Sequence, residues 1–147
     1  MKHGSLCAAT LTAMVFLACS GPGDTSFDDD LVDYDEIDQI AQEDVDAPES
    51  AEARGWLAVP SNAIFEGSKD EVSALTEAFY SAGCPRVYIT GIERMGGTQV
   101  SASMVAELPS DPSARSAALE IANEFYREQG EGDLGDRGQR YLMLLFD

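Results

Sequence analysis

The groups in this chain that could act as nucleophiles, bases or metal ligands are few, and their spacing does not bring them together. The single histidine is His3, ahead of an apolar run, while a charge-relay triad, a near-neutral general base and a typical zinc site all draw on imidazole. Carboxylates are abundant, but most fall between Asp28 and Glu52 or in the loop that carries Glu131, Asp133 and Asp136. Acid–base catalysis needs two carboxyls in environments that split their pKa values, and no local pattern here predicts such burial. Asp33, Asp35 and Asp38 suggest a calcium loop, yet the glycine and the closing glutamate of EF-hand spacing are absent. Gly96-Gly97 and Gly130, Gly132, Gly135 and Gly138 are turn glycines, since neither group opens a helix after a strand and the second sits among acids that repel phosphate. Cys84 lies between Gly83 and Pro85 at the C-terminal end of a predicted helix, where the helix dipole disfavours a thiolate. We therefore expect no catalytic residue, no metal and no cofactor.

Cys19 has a different context. Lys2 gives a positive start, and Leu6 to Ala18 carries no charge. That run is too short for a bilayer crossing of roughly 20 residues and fits a secretory h-region. It ends in Val15-Phe16-Leu17-Ala18-Cys19, which resembles the lipobox of bacterial lipoproteins. Ala18 and Cys19 match its two most restrictive positions, whereas Phe16 and Leu17 stand where a leucine and a small residue are usual. The resemblance covers about the first 20 residues. It implies a signal peptide over 1–18, diacylglycerol on the Cys19 thiol, cleavage before that cysteine, and an amine that can also be acylated. Several acyl chains at about 0.8 kcal/mol per buried CH₂ give stable anchoring. Ser20 in place of aspartate resembles the outer-membrane sorting pattern, so the implied location is the cell envelope, in the outer membrane, on its periplasmic side or at the surface. With Cys7 in the leader and Cys19 acylated, Cys84 is left as a lone thiol with no intrachain disulfide.

Lys+Arg number 9 against Asp+Glu 27, a formal charge of −18. Such a field repels phosphate backbones, which argues against a nucleic-acid partner. The 147 residues suggest one domain with one modest core. The acids concentrate between Ser20 and Arg54, after Gly21-Pro22-Gly23 and with no basic residue before Arg54. We read 19–54 as the lipidated cysteine followed by a disordered, self-repelling tether. The alternative is a helix with one apolar face, suited to docking in a basic, partly hydrophobic groove on a partner, because Tyr34, Ile37, Ala41 and Val45 recur near helical spacing.

The folded part is expected over 55–147. Trp56-Leu57-Ala58-Val59-Pro60 reads as a short first strand. Ser68 and Glu71 match a capping box, and Val72, Leu75, Phe79 and Ala82 follow at helical spacing up to Gly83 and Pro85. Val87 to Ile92 is the next strand. It turns through Arg94-Met95-Gly96-Gly97 into an alternating strand over Thr98 to Leu108, a β-hairpin. Asp111-Pro112 caps a second helix, with Ala118, Ile121, Ala122 and Phe125 as its stripe and Gly130 as its stop. Tyr141 to Phe146 closes the chain as a strand. The order β-α-β-β-α-β resembles the ferredoxin-like split βαβ fold, an α+β architecture with two helices on one face of a four-stranded antiparallel sheet. That resemblance implies strand order 4-1-3-2, with the terminal strand at an edge. Ala78-Phe79-Tyr80 with Gly83, echoed by Glu124-Phe125-Tyr126 with Gly130, is a faint internal repeat in keeping with it.

From these features we expect a lipid-anchored envelope protein that acts as a non-catalytic binding module, its partners being the membrane and either another protein or its own copy. The expected contact surface is the helix-free sheet face or the terminal edge, with Trp56, Tyr88, Tyr141, Leu142 and Leu144 as its residues. Because both faces of the terminal strand are apolar, Leu142 and Leu144 are assigned to the side away from the core. Two alternatives stand: a small-ligand sensor of the amino-acid-binding ACT type, which the fold resemblance implies, and an enzyme using Arg86, Arg94 or acids in an unrecognised way.

Overall fold

The computed structural model describes residues 34–146, and one compact unit takes in all of them. The expectations for the signal peptide, for Cys19 and for the start of the tether lie outside the described residues. In chain order the elements are α1 (Tyr34–Asp46), β1 (Ala51–Glu52), α2 (Ala53–Leu57), β2 (Ala63–Ile64), α3 (Lys69–Ser81), β3 (Val87–Thr90), β4 (Glu93–Met95), β5 (Thr98–Ser101), β6 (Ser103–Glu107), α4 (Pro112–Glu128) and β7 (Tyr141–Leu145). The fold is α+β. Its main sheet is four-stranded and antiparallel throughout, in the order β1-β3-β6-β7, and a smaller sheet has the order β2-β5-β4.

Helices α3 and α4 start and stop where their sequence signals lie. The Ser68 hydroxyl accepts from Glu71 N–H, and the Asp111 carboxylate accepts from Ala114 N–H with Pro112 at the first helical position. Each satisfies a backbone donor that a helix start leaves open. Gly83 and Gly130 follow the helices with φ of +99° and +82°, a conformation that glycine adopts without steric cost. Hairpin β4-β5 turns through Gly96 and Gly97, both at positive φ as a type I′ turn requires.

The first strand is corrected. Trp56-Leu57 belongs to α2, whose start is capped by the Glu52 carboxylate accepting from Gly55 N–H, and the sheet begins instead at Ala51–Glu52. A short apolar run ended by proline suits a buried turn of helix as well as a strand. Here Trp56 and Leu57 are both buried, and the indole N–H donates to Gln99 Oε1. The expected hairpin over 87–108 is also divided. Between β5 and β6 the Ser101 hydroxyl donates to Thr90 O and accepts from Ser103 N–H, so the tip passes to the smaller sheet beside β2.

Strand order departs from the ferredoxin-like arrangement, because the main-sheet strands lie side by side in chain order. The cause is the path after each helix. Beyond α4 the chain runs back along the helix it has just left: Arg127 pairs with Asp133, Asn123 Oδ1 accepts Leu134 N–H, and Arg115 holds Asp136 and Gln139 O. The chain thus regains the level of Glu107, and β7 enters antiparallel to its neighbour β6. The segment 58–68 does the same before α3, from Glu52 opposite Tyr88 to Phe65, whose N–H bonds Ser101 O at the other end of β3.

The main core lies between α3, α4 and one sheet face. Phe79, Ala118 and Ala122 are fully buried against Val87, Ile89, Met104, Ala106, Leu142 and Leu144, each large aliphatic side chain contributing about 1.5–3 kcal/mol by leaving water. The opposite face is not bare. α1 lies across it, with Ala41 fully buried against Val105 and Tyr141, and Val45 and Met143 packed alongside. The disordered tether is therefore corrected from Tyr34 onward. The apolar positions Ala41 and Val45 form the helical face of the alternative reading, but that face docks on the chain's own sheet and not on a partner.

Candidate functional site

The five residues expected to form a contact surface are not brought together. Leu142 and Leu144 belong to the main core at 2% and 0% exposure. This corrects their assignment to the outer side of β7: both faces of that strand are apolar, and register with Ala106 and Met104 turns these two towards α3 and α4. Trp56 is buried in the same core. Tyr141 faces the other way but is 3% exposed under α1, and Tyr88, on that side too, is half-buried with the Arg86 guanidinium 5.9 Å from its ring centroid.

α1 holds that face through polar bonds as well as packing. Asp38 accepts the backbone N–H groups of both Arg140 and Tyr141, and Gln42 Oε1 accepts from the Tyr141 hydroxyl and from Arg140 Nη1. Beside it Glu107 bridges Arg86 at 2.7 Å and Arg140 at 3.0 Å. Those two guanidinium groups, Arg86 foremost, keep its carboxyl below the usual glutamate range against the opposing effect of burial. Burial, by contrast, raises the Tyr141 phenol.

The outer edge of β7 is partly occupied by side chains. Leu108 N–H to Arg140 O and Phe146 N–H to Ala102 O extend the ladder with β6, so Tyr141, Met143 and Leu145 turn their backbone groups outward. Asp38 takes Tyr141 N–H, the Tyr126 hydroxyl donates to Met143 O, and Gln129 Nε2 donates to Leu145 O. An edge capped in this way is poorly suited to strand addition.

An open groove of about 660 Å³ lies between α3 and α4. The helices come close at one end, where a Cβ on Gly83 would stand 3.2 Å from Ala114 Cβ. The groove occupies the opposite end, bordered by Glu66 to Ser68 on one side and Glu128 and Gln129 on the other. Leu75, Ala78, Ile121, Phe125 and Phe146 supply its apolar surface, and Glu66, Glu71, Glu124 and Glu128 its rim, with no lysine or arginine in the lining. These four glutamates form no ion pair among the described residues. Its volume lies in the roughly 300–1,000 Å³ range of ligand sites.

The sequence signal for this groove is the pair Glu124 and Glu128 at four-residue spacing beside Ile121 and Phe125. Ile121 and Phe125 were expected in the core stripe of α4. They are half-buried at its margin, while Leu119 and Asn123 are buried instead.

Reactive groups elsewhere are embedded in structural roles. Burial pushes the Cys84 thiol up to about 11, aided by Glu107, so it is protonated at neutral pH. Tyr80, hydrogen-bonded to Glu52 and pushed up to about 12 chiefly by burial, lies under Arg54 at 3.8 Å. The hydroxyls of Thr90 and Ser103 bond each other, and those of Ser101 and Ser103 both donate to Thr90 O. Among the described residues no group of three His, Cys, Asp or Glu side chains could hold a metal ion, and no helix is long and apolar enough to cross a membrane. Comparison with protein-family models, with curated proteins and with solved structures finds no match for this chain.

Proposed function

We propose that this protein is a lipid-anchored component of the cell envelope, held to the outer membrane by acyl chains on Cys19, whose domain works as a non-catalytic binding module. The observation that carries the binding role is the solvent-open apolar groove between α3 and α4, in a domain whose other sheet face is covered by its own α1. Recognition is assigned to that groove rather than to the terminal edge, since Tyr141 N–H, Met143 O and Leu145 O on the outer side of β7 already hold side-chain partners. The anchor is supported by the uncharged run ending in Leu17-Ala18-Cys19.

Two measurements test this reading. In a suitable bacterial host the wild type should incorporate labelled palmitate and partition into detergent, and Cys19→Ala should do neither; equal labelling of the two overturns the anchor. A photo-reactive residue at Ala74, on the groove rim, should cross-link to a protein in intact envelopes, whereas one at Glu93 on the hairpin should not. No cross-link at Ala74 overturns the binding role of the groove.

A further inference from the structure

We infer that the groove between α3 and α4 receives a basic amphipathic helix of a partner protein. This proposal rests on the reading of the domain as a binding module and adds the chemistry of the partner. The groove presents a strip made by Leu75, Ala78, Ile121 and Phe125, flanked by Glu71 of α3 and by Glu124 and Glu128 of α4. An apolar strip between two acidic margins is complementary to a helix with Leu or Ile on one face and Lys or Arg on its flanks, the helix-in-groove mode of recognition.

Charge also decides between occupants. A second copy carries the same −18 and would bring acid onto acid. The chain's own N-terminal stretch has no lysine or arginine between Lys2 and Arg54 and includes Asp28-Asp29-Asp30, so it is repelled by the same rim. Lys69, at the start of α3, donates its ammonium to Val59 O and does not join the lining. The carboxylates at the margin are thus left for cations from another molecule.

The test uses the full chain and an acetylated Leu/Lys peptide of about four helical turns with its leucines on one face. A scrambled peptide of the same composition and a Leu/Glu peptide of the same pattern serve as references. By fluorescence anisotropy in about 0.15 M salt, the patterned Leu/Lys peptide should bind about tenfold or more tightly than the scrambled one, and the Leu/Glu peptide should not bind. Glu71→Gln/Glu124→Gln/Glu128→Gln should weaken binding by about tenfold. Asp44→Asn/Glu49→Gln/Glu93→Gln, which removes as many charges elsewhere, should weaken it little. Equal binding of the scrambled peptide, or an equal loss in the two triple variants, would reduce the effect to general charge attraction and overturn the proposal. These measurements do not involve the lipid, so failure here leaves palmitate labelling and the Ala74 cross-link intact, whereas failure of those two removes the module reading without altering the peptide affinities.

Discussion

Asp38 and Tyr141 stand 103 residues apart in sequence, yet the carboxylate of the first accepts the backbone N–H of the second at 3.0 Å while its other oxygen takes Arg140 N–H at 2.7 Å. One side chain of α1 therefore fixes the start of β7. A helix that is acidic along most of its surface is held on an acidic domain by charge-assisted hydrogen bonds and by the burial of Ala41 and Val45.

From this relationship α1 should be part of the cooperative unit. Truncation to residues 48–147 should lower unfolding stability by more than about 1 kcal/mol, a clear packing contribution on the mutational scale. Asp38→Ala alone should cost about 1–2 kcal/mol, because two backbone donors lose a charged acceptor. Urea denaturation followed by circular dichroism measures both, and an unchanged midpoint in the truncated chain would show that α1 only rests on the sheet.

The two faces of β7 should respond oppositely to truncation. Leu144→Ala removes a side chain at 0% exposure from the main core and should cost about 2–5 kcal/mol. Leu145→Ala, at 52% exposure, should change stability by less than about 0.5 kcal/mol. Thermal and urea unfolding of the two variants compare them directly, and equal costs would mean that the register with β6 is shifted.

Glu107 should contribute to acid unfolding. Its folded carboxyl titrates below the ordinary value of 4.5, with the Arg86 bond as the main cause. The stabilisation is therefore fully present above about pH 4.5 and is lost as the pH falls through the lower folded value. Stability measured between neutral pH and pH 3 should decline less steeply at its acid end in Glu107→Gln than in the wild type, and parallel curves would remove Glu107 from the acid limb.

Cys84 should be nearly inert until the chain unfolds. It is 4% exposed and its thiol is raised to about 11, so both access and thiolate fraction are low at neutral pH. In a chain beginning at residue 20, alkylation followed by mass spectrometry should be slow in buffer and fast in denaturant. Rapid labelling in buffer would show that the end of α3 opens easily.

The sequence by itself determined the parts whose causes are local. Ser68, Asp111 and Pro112 fix the starts of α3 and α4, Gly83 and Gly130 their ends, and Gly96-Gly97 the hairpin turn, because capping and positive φ act within a few residues. A four-stranded antiparallel sheet with two helices on one side was expected, but its first strand is Ala51–Glu52 and not the run from Trp56, which alternation and propensity alone suit to strand or helix. At the site, the acidic and apolar spacing on α4 was visible, but its pairing with Glu71 and Leu75 of α3 was not, since nothing local states which helix lies beside it.

Tertiary structure decided the remainder. The run Tyr141 to Leu145 is apolar on both sides, so a period of two cannot say which side is core, and only register with β6 sends Leu142 and Leu144 inward. Strand order was set by the return path of residues 129–140 along α4, held by Asn123 and Arg115, polar residues that on a helix surface read as solvated. The acidic stretch carried two consistent readings, tether and helix. The choice between them depended on whether an apolar surface with open backbone donors lay within reach, and that surface exists only once β6 and β7 have paired.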